Sequence, residues 1–359
     1  MSGALVDLVA TGVQDAYLTG QPEVSFFRQS YKRHTNFATK PVKMVPMGTI
    51  AANSEISLKI PNKGDLLSTI WMDLGTGNVR EQLNSNTINS TICELWIGGQ
   101  MVDRQDTTFM TYHWPKFLLD SGAKGDAFNS GSATIAGANT WMPLHFFFCD
   151  GTPLPLVALQ YHEVEIRITF GAGLTAPPTF YAEYILLDTN ERDYFVKTPH
   201  EILINQIQRL PSTNGSNADP GFDLSLLNHP VKSLHWSNVE STADTWNTGN
   251  VMMWLNGTAV FDSSMPDKYF TTVQGYMHSE YSSGMLQSDE GNNSLKMYSF
   301  AQKANKHQPT GSCNFSRLDN AELKCTASDG AERSGLALYA VNWNVLRIKD
   351  GLSGVAFAN

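Results

Sequence analysis

The stretch HEVEIRITF, His162 to Phe170, places His162, Val164, Ile166, Ile168 and Phe170 on one side and Glu163, Glu165, Arg167 and Thr169 on the other. Successive side chains of an extended chain point to opposite faces, so this two-residue period describes a half-buried β-strand. The same alternation occurs upstream in ISLKI, where Ile56, Leu58 and Ile60 oppose Ser57 and Lys59. Further strand-like runs are STIWMDL around Trp71, ICELWIGG around Trp96, TFYAEYILLD around Tyr184, EILINQIQ around Ile204, VKSLHWSNV around Trp236, MMWLNG around Trp254 and LALYAVNWNVLRI from Leu336. Clusters of Gly, Pro, Asn and Asp separate most of them. Many short strands without alternating helices predict an all-β protein of sandwich or barrel type.

A chain of 359 residues exceeds what one hydrophobic core usually fills, so two domains are expected. The change from the charged LDTNERDYF to VKTPH puts a boundary around Asp193 to His200, leaving two segments of similar length, one sandwich apiece. No direct internal repeat is visible, so any duplication has to be structural. The strongest helical signal lies in residues 1–20, where Leu5, Leu8, Val9 and Gly12 follow three-to-four spacing and Gly20 with Pro22 ends the run. Such a segment is too short for a domain and reads as an arm that docks on something.

Charge narrows the partners. Lys plus Arg total 25 against 34 Asp plus Glu, a formal net charge of −9, which repels phosphate unless basic groups segregate. The densest basic run, Lys32, Arg33, Lys40 and Lys43, adjoins the aromatic-rich FFRQSYKRHTNFA of Phe26 to Ala38. A run of that size reads as a solvated face or a protein contact, and direct nucleic-acid binding is not expected. Only 16% of residues are charged, which suits a β-rich protein whose surface is polar and uncharged or covered by neighbours. No apolar run is long enough for a transmembrane helix, and the N-terminus lacks the pattern of a signal peptide. Cys93, Cys149, Cys313 and Cys325 are far apart with no C-x-x-C pair, so free thiols are expected.

Catalytic patterns are missing. HEVE at 162–165 starts like H-E-x-x-H, but residue 166 is isoleucine and the run alternates as a strand, whereas the metalloprotease motif needs a helix. His34, His113, His145, His200, His229, His235, His278 and His307 lie singly, none at a ligand-like interval from another. Neither G-x-S-x-G, a phosphate-binding glycine loop nor a dinucleotide fingerprint is present. Glu163 and Glu165 share a strand face as a glycosidase pair could, yet beside Arg167 they read as polar surface. No catalytic residue, cofactor or metal is assigned, and the chain is expected not to be an enzyme. The sequons at Asn89, Asn214, Asn256, Asn292 and Asn314 are by-products of a chain rich in Asn, Ser and Thr, and no glycan is assigned from them.

The segment VDLVATGVQDAYLTGQPEVSFFRQSYKRHTNFA, with its QDAYLTG run before Phe26-Phe27 and Tyr31 to Phe37, resembles the N-terminal signature of the major capsid proteins of nucleocytoplasmic large DNA viruses. LPLVALQYHEVEI (154–166), LNHPVKSLHW (227–236), KYFTTVQGYMHS (268–279), KHQPTGSCNFSRLDNAEL (306–323) and LYAVNWNVLRIKDGLSGVAFAN (338–359) resemble that family in the same order. The resemblance implies a double jelly roll: an N-terminal arm over 1–30 and eight-stranded sandwiches over 31–195 and 196–359. It further implies homotrimers acting as pseudo-hexameric capsomers of an icosahedral shell, in a virion assembled in the host cytoplasm. Minor capsid proteins are implied partners, and an internal membrane layer could be reached through other proteins. By the same analogy, Leu5, Leu8, Val9, Asp15, Tyr17, Phe26, Phe27, Arg28, Tyr31 and Arg33 are assembly-interface candidates at the capsomer base. The connections around residues 122–140, 211–223 and 281–294 are modest for that family. Two other readings stay open: a minor or vertex-associated virion protein of the same fold, and a carbohydrate-binding sandwich using Trp71, Trp96, Trp141, Trp236 or Trp254 as stacking platforms. Most of these tryptophans lie in strand-like runs, so core packing is expected of them.

Overall fold

The computed structural model describes residues 9–75, 83, 91–121, 124, 140–149, 151–212, 221–238, 248–261, 263–280, 295–327 and 336–357. The chain forms two compact units, residues 1–36 and 37–359. Among the described residues of the first, helix is confined to Ala16–Thr19. The three-to-four spacing predicted helix over 1–20; residues 9–15 are not helical, and residues 1–8 lie outside the described residues. The reason is local. Gly12 has little helical propensity, and the Asp15 carboxylate accepts a hydrogen bond from its N–H at 2.9 Å, fixing a turn there.

The second unit begins with nine strands: β1 (Phe37–Met44), β2 (Glu55–Lys59), β3 (Leu66–Asp73), β4 (Ile92–Ile97), β5 (Gln100–Asp106), β6 (Trp141–Pro143), β7 (Leu154–Pro155), β8 (Val164–Thr169) and β9 (Thr179–Leu187). They form two antiparallel sheets, β1-β9-β3-β6 with β7 also on β3, and β2-β8-β4-β5. β6 and β7 pair with opposite ends of β3 and act as one interrupted strand. The helix Thr189–Lys197 then leads to β10 (His200–Pro211), β11 (Gly221–Asp223), β12 (Pro230–Asn238), β13 (Thr248–Leu255), β14 (Thr258–Ala259), β15 (Met265–Pro266), β16 (Lys296–Ser299), β17 (Cys313–Asn314), β18 (Ala321–Ala327), β19 (Leu336–Lys349) and β20 (Leu352–Val355). These make β10-β19-β12-β16, with β17 on β12 and β20 on β19, and β11-β18-β13-β14, with β15 on β13.

With interrupted strands counted once, each half holds eight strands ordered 1-8-3-6 and 2-7-4-5, the arrangement of a jelly roll; β20 is an addition to the second. The duplication reaches the connections. The hairpin between β4 and β5 turns on Gly98-Gly99 and that between β13 and β14 on Asn256-Gly257, all four residues at positive φ as a type I′ turn requires. After the fifth strand a π-helical turn runs into a short α-helix in both halves, Phe109–His113 into Trp114–Phe117 and Tyr269–Val273 into Gln274–His278.

The alternation read in HEVEIRITF holds: Val164, Ile166, Ile168 and Phe170 are buried, while Glu163 and Thr169 are exposed. β8 lies between β2 and β4, so its inward residues enter the first core with Ile56, Leu58 and Leu95. β1 is an edge strand, and its Pro41 and exposed Lys40 and Lys43 suit a position where a backbone donor is dispensable. β19 behaves differently. Leu338 and Ala340 pack in the second core, whereas Ala337, Tyr339 and Val341 pack with Phe109, Trp114 and Phe117 from the first half. Farther along, Leu346 and Ile348, with Ile202 and Ile204 of β10, join the first core. A strand covered on both faces needs no alternation, which is why LALYAVNWNVLRI is a nearly continuous apolar run.

Candidate functional site

Of the ten arm residues singled out by sequence, Leu5 and Leu8 lie outside the described residues. Val9, Asp15, Tyr17, Phe26, Phe27, Arg28, Tyr31 and Arg33 are all exposed, Phe26 at 93% and Phe27 at 98%. The arm's internal hydrogen bonds are local, such as Thr19 Oγ1 to the Asp15 carbonyl at 2.8 Å and the Arg28 amide to the Ser25 carbonyl at 3.4 Å. Large apolar side chains left in water on a short segment are the physical mark of a docking element.

The seam between the two halves is the second feature, and sequence reasoning missed it. The Asp106 carboxylate at the end of β5 accepts from the Phe109 amide at 2.9 Å and the Tyr339 hydroxyl at 2.8 Å, and pairs with Arg209 at 3.2 Å. Asp103 accepts from the amides of Arg104 at 2.9 Å and Ile207 at 3.0 Å and from Gln105 Nε2 at 2.5 Å. Burial raises both carboxyls, Asp103 to about 6 against its hydrogen bonds, and Asp106 against the Phe109 amide and Arg209.

Deeper in the seam, His113 Nε2 lies 2.8 Å from Ser237 Oγ and His235 Nε2 lies 2.9 Å from Ser233 Oγ. Their rings meet edge-on with centroids 5.8 Å apart, among Phe109, Phe117 and Tyr339. Burial pushes His235 down to about 3, helped by Lys232, and lowers His113, helped by His235, Lys116 and Lys296. Lys116 is itself pushed down to about 7, mainly by burial. Lys296 is lowered by burial against the pull of Asp267, 3.2 Å away. Both histidines are therefore neutral packing groups at pH 7. They are solitary in sequence because they meet each other, and His113 meets Ser237, only across a long stretch of chain.

The remaining candidates resolve as surface. Glu163 pairs with Lys59 at 2.8 Å, and Glu165 accepts from Ser57 and from Arg167 at 3.2 Å, so both acids belong to a cross-strand ladder. Among the described residues no group of three or more His, Cys, Asp and Glu could hold a metal ion. The expectation that the tryptophans are core holds for Trp236 but needs correction for others. Trp71 stacks on Tyr181 at 5.5 Å, the Arg167 guanidinium covers Trp96 at 4.3 Å and the Lys324 ammonium lies 5.6 Å from Trp254. These outward rings are covered by neighbours on their own sheets. Asn256 Oδ1 accepts from the amides of Asp319 and Asn320, tying its hairpin to a distant turn, and Asn314 Oδ1 accepts from that of Ser316, capping its own turn. Cys93 and Cys325 are buried, and all four cysteines are thiols outside any disulfide.

Two jelly rolls of one topology, packed on each other through the side chains of β19, are the architecture of the double jelly-roll capsid proteins. Comparison with known proteins agrees along the whole chain. Residues 25–180 match the family described as major capsid protein N-terminus, and residues 241–354 the large eukaryotic DNA virus major capsid protein. The major capsid protein of Pyramimonas orientalis virus is 33% identical, and that of Paramecium bursaria Chlorella virus 1 is 30% identical, each over all of both chains. A structure of PBCV-1 VP54 superposes with a TM-score of 0.75 at 26% identity, covering 93% of this chain and 100% of that one. The Faustovirus major capsid protein, at 12% identity and a TM-score of 0.64 over 94% of each chain, shares the fold. The chain belongs to the family of major capsid proteins of large eukaryotic DNA viruses and has a structural role in the capsid.

Proposed function

We propose that this chain is the principal shell protein of a virion: three copies associate into a capsomer, and capsomers tile an icosahedral surface. One observation carries the reading. Each chain presents two jelly rolls with the same strand order, so three chains about a three-fold axis place six similar lobes around a ring, which packs as a hexagon does. The reading divides the chain into an arm over 1–30 and jelly rolls over 31–195 and 196–359; the change of sheet membership across the Thr189–Lys197 helix supports the second boundary. Exposed apolar side chains on the body, among them Val45, Met47, Leu226 and Tyr276, supply candidate contact surface. The role requires no catalysis, and the buried histidines and carboxylates work in packing.

In this reading the arm, through Val9, Asp15, Tyr17, Phe26, Phe27, Arg28, Tyr31 and Arg33 together with Leu5 and Leu8, docks beneath the capsomer against neighbours or minor capsid proteins. Any membrane layer is reached through those other proteins, no nucleic acid is contacted, and assembly takes place in the host cytoplasm. Native mass analysis with electron microscopy of the purified full chain tests the core of the proposal. Stable trimers with a hexagonal outline are expected; a chain that stays monomeric across the concentration range overturns it.

A further inference from the structure

A cavity of about 30 Å³ lies at the seam, with Gln105, Phe109, Trp114 and Phe147 from the first half and Asn205, Ile207, Asn305 and His307 from the second on its wall. Four of those side chains bring a buried acceptor without a hydrogen-bond partner among the described residues: Gln105 Oε1, Asn205 Oδ1, Asn305 Oδ1 and His307 Nδ1. For three of them the orientation is fixed. Gln105 Nε2 donates to Asp103 Oδ2 at 2.5 Å and to the His145 carbonyl at 2.8 Å, so turning the amide over would set its oxygen against two acceptors. Asn305 Nδ2 donates to the Leu119 carbonyl at 3.2 Å, which pins that amide in the same way. Burial, helped by Lys232, lowers the His307 pKa against a hydrogen bond to the Leu203 backbone, so the ring is neutral, the bonded nitrogen carries its proton and Nδ1 offers a lone pair.

These four buried groups are chemically one-sided: they are acceptors, brought from both halves, and they call for a donor. A buried acceptor left without a donor is costly, and several together around one cavity call for a common partner. The volume suits one or two small molecules, since a water needs about 10–15 Å³ of such space and two to four polar partners. A metal ion fits poorly. The wall brings no carboxylate, and it includes Lys232, whose ammonium lies 4.9 Å from the centre of the Trp343 ring.

The geometry points to an internal water site at the seam, in which ordered water donates to Gln105 Oε1 on one jelly roll and to Asn205, Asn305 and His307 on the other. The site adds a water bridge between the halves beside the direct bond from Asn305 to the Leu119 carbonyl, and completes the polar layer begun by Asp103 and Asp106.

Two measurements test it. In a crystal structure of the full chain at a resolution that shows solvent, density refining as water is expected within hydrogen-bond distance of Gln105 Oε1 and Asn305 Oδ1. A cavity without density, or a peak that scatters as a metal ion, overturns the proposal. The second measurement is the melting temperature of Asn205→Leu, nearly isosteric and without polar atoms. If water is bound, the substitution strips it of a partner and the melting temperature falls by about 2 °C or more. If the cavity is dry, it removes an orphaned acceptor, and an unchanged or raised melting temperature counts against the site.

Discussion

Asp106 holds the Tyr339 hydroxyl, the Phe109 amide and the Arg209 guanidinium at once, so two sandwiches depend on one buried carboxylate. Replacing it by asparagine removes the charge that Arg209 answers and should cost about 1–3 kcal/mol in urea unfolding. The buried histidines set a pH dependence of definite sign. His235 has a folded pKa of about 3 against an ordinary 6.5, so the unfolded chain takes the proton first and stability falls as pH drops below 6.5. At pH 5 that loss is about 2 kcal/mol. Asp103 opposes it: with a folded pKa of about 6 against 3.8, it adds stability as pH falls from 6 to 3.8, by about 1 kcal/mol at pH 5. His235→Gln should therefore flatten the acid side of a pH series of unfolding curves; an unchanged slope below pH 6.5 would show that the ring titrates in the folded protein as it does in water. Thiols give a simpler check. Denatured, unreduced protein should titrate four per chain, while native Cys93 and Cys325 react slowly because burial raises each to about 12. At this scale the sequence revealed little, since Asp106 and Tyr339, or His113 and Ser237, meet only after the chain has crossed between sandwiches.

Hairpins show how the elements were legible and where they were not. The two I′ turns at equivalent places carry Gly98-Gly99 and Asn256-Gly257, but their surroundings differ. A Cβ on Gly98 would run into the His162 ring, whereas one on Gly257 meets nothing within 4 Å. Gly257→Ala should cost about 1 kcal/mol through its backbone alone, and Gly98→Ala clearly more, with the difference read from paired thermal melts. Strands with apolar and charged faces announced themselves: β2, β8 and β9 alternate because one side meets the core and the other water. β1, β5 and β18 went unread. β1 is largely exposed, as an edge strand can be, while β5 turns polar residues such as Asp103 and Gln105 inward to the seam. The Thr189–Lys197 helix has no apolar face for the sequence to show: none of its residues is buried, and Arg192 reaches back to Asp65 at 3.1 Å.

For the molecule as a whole, two sandwiches could be expected from strand count, whereas the seam could not, because it rests on pairs with no local pattern. Deleting Met1–Gly20 should leave the melting temperature of the body unchanged, as strands begin at Phe37, and should weaken association beyond the trimer. Native mass distributions of the truncated and full chains decide it; normal assembly without the arm would remove its role, and failure to fold would make it part of the core. The placement of β19 has a consequence in time. It lies between β10 and β12, as β9 lies between β1 and β3, so in each half the strand that joins its neighbours is made after both of them. A ribosome releasing this chain N-terminus first therefore holds β10 and β12 apart, their edges unsatisfied, until Lys349 has emerged. Even the first half waits, because Leu346 and Ile348 complete its core. The nascent protein is thus most exposed to aggregation just before its synthesis reaches β19, and a chaperone that shields open sheet edges would matter most in that interval.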